Sequence, residues 1–132
     1  MLPKYHVYFG VLASVIVYLL SDWLNALIFF FGSVFIDTDH YIAFTFKEKN
    51  WSLKRSYYYW KNEHYAYDEL MIFHTIEVWV LLLIVGLLIS SILFLLAGML
   101  YHELFDIYDM NKRKLYNARA ISLFAWSTRN LK

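Results

Sequence analysis

The 132-residue chain is 61% apolar and 17% charged, whereas ordinary globular domains are ~45–50% apolar and ~25% charged. A length of 132 residues sets one domain as the expectation, and a net charge of +1 implies no nucleic-acid partner. With no cysteine, disulfides and thiolate metal sites are excluded.

The first apolar run is Val7–Leu20, preceded by Lys4. It ends in Leu19-Leu20-Ser21-Asp22-Trp23, without the small-x-small pattern of a signal-peptidase site. The expectation is an uncleaved helix over Pro3–Ser21. A second run, Trp23–Ile36, predicts a helix over Asp22–Asp39, capped by Ser21 or Asp22. Residues 45–67 mix five basic side chains with Trp51, Tyr57, Tyr58, Tyr59 and Trp60, a composition suited to headgroup depth. The long run Val78–Tyr101 reads as a single span or as a hairpin turning at Ser90-Ser91. All twelve Lys and Arg fall at Lys4, in Lys47–Lys61 and in Lys112–Lys132. A hairpin with helices Asp68–Ile89 and Ser91–Asp109 puts all three groups on one membrane side, as the positive-inside rule favours. Leu115, Ala118, Ile121, Ala125 and Trp126, interleaved with basic residues, predict a basic amphipathic helix on the membrane.

The expected fold is therefore an all-α integral membrane protein. Two helical hairpins make a four-helix bundle over residues 1–110, with an aromatic and basic cytoplasmic loop at 45–67. A C-terminal amphipathic interfacial helix covers 111–132. The expected location is the cytoplasmic membrane, multi-pass, with termini on the cytoplasmic side.

Ionisable groups in membrane helices are costly and are functional candidates for that reason. In this arrangement they gather on one face. His6 starts the first helix, Asp37, Asp39 and His40 end the second, His74 and Glu77 start the third, and His102, Glu103 and Asp106 end the fourth. His74/Glu77 and His102/Asp106 have i,i+3 and i,i+4 spacing, so each pair is expected to share a helix face. Imidazoles and carboxylates converging from several helices are how bundles hold divalent metals. Asp22 reads as a cap, Asp68 and Asp109 as solvated helix ends, and His64 as an interfacial side chain without a helical acid partner. Glu103 points about 100° away from His102 and is expected to face headgroups. His102-Glu103-Leu104-Phe105-Asp106 is similar to the His-Glu-x-x-His helix of zinc proteases, with Asp at the second ligand position. Phe35-Ile36-Asp37-Thr38-Asp39 resembles the nucleophile strand of aspartyl-phosphate phosphatases, a fold needing a parallel sheet and far more chain.

The ordered set of His6, Asp37-x-Asp39-His40, His74 and Gly98-x-x-x-His102-x-x-x-Asp106, over roughly residues 6–109, resembles the YdjM-type membrane-bound metal-dependent hydrolases. The resemblance implies a metal site and a hydrolytic activity. Where that family often has His-Arg and Thr-His near the third helix start, this chain has Phe73-His74-Thr75-Ile76-Glu77. A substrate-binding Arg and one His of the pattern are thus absent there.

The expectation is a metal-dependent hydrolase acting at the cytoplasmic face on a phosphate ester of a lipid or membrane-associated substrate. Metal ligands are expected at His6, Asp37, His40, His74, His102 and Asp106. Glu77 is the expected general base, and Asp39 a bridging or supporting carboxylate. Lys54 and Arg55 are expected to hold the phosphate. Zinc is the first expectation for the metal, with Mn, Fe or Mg as alternatives and one or two ions. The competing reading is a non-enzymatic metal-binding carrier or scaffold subunit; a zinc-protease-like enzyme is another, and a His-box oxygenase would need more histidines.

Overall fold

Asp22 breaks the N-terminal apolar sequence into two helices, α1 (Pro3–Leu20) and α2 (Trp23–Phe35). Its backbone is extended, and its side chain accepts a hydrogen bond from the Asn25 N–H at 2.9 Å, satisfying a donor the helix start leaves orphaned. The computed structural model describes residues 3–62, 68–115 and 118–130. His64 lies outside the described residues.

The second helix does not run unbroken to Asp39 as expected. It is interrupted at Ile36-Asp37 and resumes as α3 (Thr38–Glu48). Thr38 Oγ1 donates to the Phe35 carbonyl at 2.7 Å, a local bond that competes with the helical ladder. Lys49 in the left-handed region ends α3, and Ser52 caps α4 (Leu53–Lys61).

The third apolar helix also starts later than expected. Residues 68–75 hold only a 3-10 turn, Ile72–His74, and α5 spans Ile76–Leu88. His74 and Glu77 therefore do not share a helix face. The long apolar run is a hairpin, turning at Ile89-Ser90 into α6 (Ser91–Arg113). The tail is not one amphipathic helix. Lys114 in the left-handed region ends α6, residues 118–121 form an extended strap, and α7 covers Leu123–Asn130. Ala118 O accepts from Glu69 N at 3.2 Å, and Ala120 N donates to Glu69 O at 2.8 Å. Apart from this isolated bridge, all regular structure among the described residues is helical.

Two stretches, Trp23–Glu48 and Ser91–Arg113, are long and apolar enough to cross a membrane; α1 and α5 are shorter apolar helices. The hairpin tips are apolar and outward-facing, with Leu20 83% and Leu88 84% exposed.

The bundle is centred on α2 against α6, with α1 on α2 and α5 on α6. Two glycines set the central distance. A methyl built on Gly32 would overlap the Leu95 carbonyl oxygen, and one on Gly98 would overlap that of Phe29. Backbone packed against backbone leaves no room for a side chain at either position. This contact brings the Ser33 carbonyl 2.9 Å from His102 Nδ1.

Candidate metal centre

The breaks in the apolar helices deliver the ionisable groups to one place. Asp37 occupies the position before α3 where an Asp normally caps, yet its side chain makes no capping bond. Its carboxylate instead lies with Oδ1 3.3 Å from His102 Nε2 and 3.5 Å from His40 Nε2. On α6, Asp106 is one turn beyond His102, with Oδ2 3.5 Å from His102 Nε2 and 3.9 Å from His74 Nε2. His102 and His74 are buried, at 1% and 4% exposure.

Asp37, His74, His102 and Asp106 each offer one donor atom, all within 4.8 Å of one another, and this cluster could hold a metal ion. A tetrahedral cation with donors at about 2.0–2.1 Å keeps them about 3.3–3.5 Å apart. The observed separations of 3.3, 3.5 and 3.9 Å are close to that spacing.

Both imidazoles are held in the tautomer a metal requires. His102 Nδ1 faces the Ser33 carbonyl at 2.9 Å, an acceptor only. His74 Nδ1 faces Asp39 Oδ2 at 3.0 Å. With Nδ1–H donating in each ring, the Nε2 lone pairs point into the cluster. Both Nε2 atoms are buried and make no hydrogen bond among the described residues. Two buried lone pairs aimed at two carboxylates repel unless a proton or a metal ion sits between them. Two imidazole nitrogens and two carboxylate oxygens are a donor set that fits a divalent metal.

Asp39 supports rather than joins this set. Its Oδ2 accepts from Phe73 N at 3.0 Å as well as from His74. It fixes both the backbone of the 3-10 turn and the ring that the turn carries, the carboxylate–histidine–metal arrangement. Asp39→Asn keeps an acceptor oxygen but removes its charge. Metal affinity is expected to fall about 10–100-fold, read by competition with a chromophoric chelator. An unchanged affinity would remove Asp39 from the centre.

The other expected residues sort differently. His6 stacks on the His102 ring, with centroids 3.7 Å apart, and its Nε2 lies 3.2 Å from Asp106 Oδ1. It stands beside the four-donor cluster, on the other carboxylate oxygen. His40 belongs to a second group with Asp39 and His74 that could also hold a metal ion.

Glu77 does not face the cluster with His74. Its carboxylate accepts from Ser122 Oγ at 2.6 Å, Leu123 N at 3.0 Å and Phe124 N at 3.2 Å. Both oxygens are thereby engaged in capping the start of α7, which leaves Glu77 a structural role in place of the expected general base. Lys54 and Arg55 line a groove of about 620 Å³ with Phe44, Ser52 and Tyr58, and that lining includes none of the metal-cluster residues.

Arg119 ion-pairs with Glu103, and its Nη1 lies 3.5 Å from Asp106 Oδ2. Glu103 is correspondingly buried, at 7% exposure, and does not face headgroups. The available signal for this placement was Ser122. A Ser immediately before Leu123-Phe124-Ala125 marks a helix start and so puts Arg119 outside the helix.

No family model, curated protein or solved structure matches the chain.

Proposed function

We propose that this chain is a multi-pass protein of the cytoplasmic membrane with a metal-dependent hydrolytic site at its cytoplasmic boundary. The observation that carries the reading is the convergence of two imidazoles and two carboxylates, from the α2–α3 break, the 3-10 turn and α6, at one point. The apolar outward faces of α1, α2, α5 and α6 suit lipid contact. Their polar ends coincide with the metal cluster, while the opposite ends carry the apolar hairpin tips. The order of these residues along the chain supports kinship with the YdjM-type hydrolases.

A divalent cation held there would polarise a substrate oxygen and ease deprotonation of a water. Two imidazoles and two carboxylates suit zinc first, with Mn or Fe as alternatives. His102 and His74 would offer Nε2 to that cation, since their Nδ1 atoms face the Ser33 carbonyl and Asp39 Oδ2. Asp37 and Asp106 supply charge, and His6 packs the His102 ring in place. His40 lines a cavity of about 30 Å³ beside Asp106, the space of about one water.

A membrane carrier or scaffold would share the metal but not the reaction. Elemental analysis of detergent-purified protein, followed by phosphate release from lipid phosphates with each candidate metal, separates the two. Metal bound and metal-dependent release are expected. Stoichiometric metal with no release from any phosphate ester under any metal would favour the carrier or scaffold.

A further inference from the structure

α2 and α5 both pack on α6, with little contact between the two themselves. The gap between them is a groove of about 240 Å³. Phe31 and Phe35 of α2 form one wall, Val78 and Leu82 of α5 the other, and Leu95 and Met99 of α6 the floor. Each pair is spaced i,i+4, so the groove follows the helices for ~6 Å or more, at 1.5 Å per residue. No polar side chain lines it, and Phe31 and Phe35 stay 43% and 49% exposed. An apolar trough open along the side of the bundle matches a hydrocarbon chain and offers a polar group no partner.

One end of the groove is built from neighbours of the metal cluster. Ile36 and Phe73 also line it, and they immediately precede Asp37 and His74 in the chain. Met99 lies one helical turn before His102. Phe73 is fixed at both backbone groups. Its N–H donates to Asp39 Oδ2 at 3.0 Å, and its carbonyl accepts from Trp79 Nε1 at 2.8 Å. Asp39 Oδ2 also faces His74 Nδ1, so one carboxylate sets both the end of the groove and the ring beside it. Of the four clustered donors, Asp37 has the most exposed side chain, at 20%. The cluster is thus most open at the residue that follows Ile36.

We propose that the groove between α2 and α5 seats an acyl chain of a lipid substrate, whose head group is turned toward Asp37, His74, His102 and Asp106. The inference rests on the metal-centre reading above and deepens it, because it makes the substrate a lipid rather than a soluble ester. The chain enters from the side of the bundle, and its burial against α5 and α6 holds the head group at the level of the cluster.

The test uses the full-length, metal-loaded protein in mixed micelles with two photoreactive lipids carrying the same diazirine-bearing acyl chain. One is the phosphonate analogue of phosphatidic acid, which keeps free oxygens for a metal and resists hydrolysis. The other is phosphatidylcholine, whose head group shields them. Crosslinked residues are mapped by mass spectrometry. The phosphonate lipid is expected to label Val78, Leu82 and Met99 more strongly than phosphatidylcholine does, and chelating the metal should remove the excess. Leu82→Trp fills the groove from α5. Displacing two methylenes from apolar contact weakens binding about tenfold, so groove labelling should fall about tenfold at unchanged metal content. Leu81→Trp, at a neighbouring position that is 59% exposed, should leave it unchanged. If L82W does not accumulate, Val78→Phe on the same wall takes its place. A wild type that binds no metal overturns the metal-centre reading. A wild type that binds metal, with equal groove labelling by the two lipids, with labelling indifferent to the filling substitution, or with none in the groove, overturns this inference alone.

Discussion

His102→Ala is expected to abolish stoichiometric metal binding while leaving a helical, monodisperse protein in detergent. The ring donates one of four clustered ligand atoms, and Asp37 and Asp106 both approach its Nε2, at 3.3 and 3.5 Å. Removing it deletes a donor and leaves two carboxylates facing a gap. The loss should exceed the about 10–100-fold that a supporting residue costs. Asp106→Ala should do the same, because its Oδ2 also faces His74. Neither change touches the apolar runs that direct the helices. Asp22→Ala is the control. That carboxylate caps α2 at the opposite end of the bundle; its loss should lower stability by ~1 kcal/mol and leave metal content unchanged. Elemental analysis after gel filtration reads all three. Metal retained by H102A and D106A would show that the cluster is not the binding site.

Gly98→Ala is expected to damage both the bundle and the site. On an exposed helix the change would stabilise by roughly 1 kcal/mol, through helix propensity. Here the added methyl meets the Phe29 carbonyl oxygen and Ser33 N, backbone atoms that cannot rotate away. Overpacking of this kind costs about 1–3 kcal/mol. Because Ser33 holds His102 Nδ1, separating α2 from α6 also releases the ring that presents a metal donor. Gly86→Ala offers the contrast, since its methyl meets the flexible side chain of Leu93. Thermal unfolding in detergent should show a lower midpoint for G98A than for G86A, and metal affinity should fall only in G98A. Equal midpoints and equal affinities would show that the close approach of α2 and α6 does not position the site.

The apolar helices and the convergence of Asp37, His74, His102 and Asp106 were legible because ionisable residues stand out against long apolar runs. His102 and Asp106 kept their helical relation because α6 continues through both without a break. The relation between His74 and Glu77 was not legible from spacing, because spacing has meaning only inside a helix and α5 begins at Ile76. Thr75, directly before that start, was the local sign of the boundary. Arg119 was hidden for a similar reason. Its segment has helical apolar spacing, but pairing of Ala118 and Ala120 with Glu69 is a contact between residues far apart in sequence that periodicity does not encode. The capping of α7 by Glu77 is equally non-local, Leu123 lying 46 positions beyond Glu77.

X-ray absorption spectroscopy of the metal-loaded protein reads the proposed ligand shell itself. A first shell of nitrogen and oxygen donors is expected, with the outer-shell scattering of two imidazoles from His74 and His102. In H102A that signature should fall to one imidazole or vanish with the metal. A first shell of oxygens alone, without imidazole scattering, would show that His74 and His102 do not hold the metal.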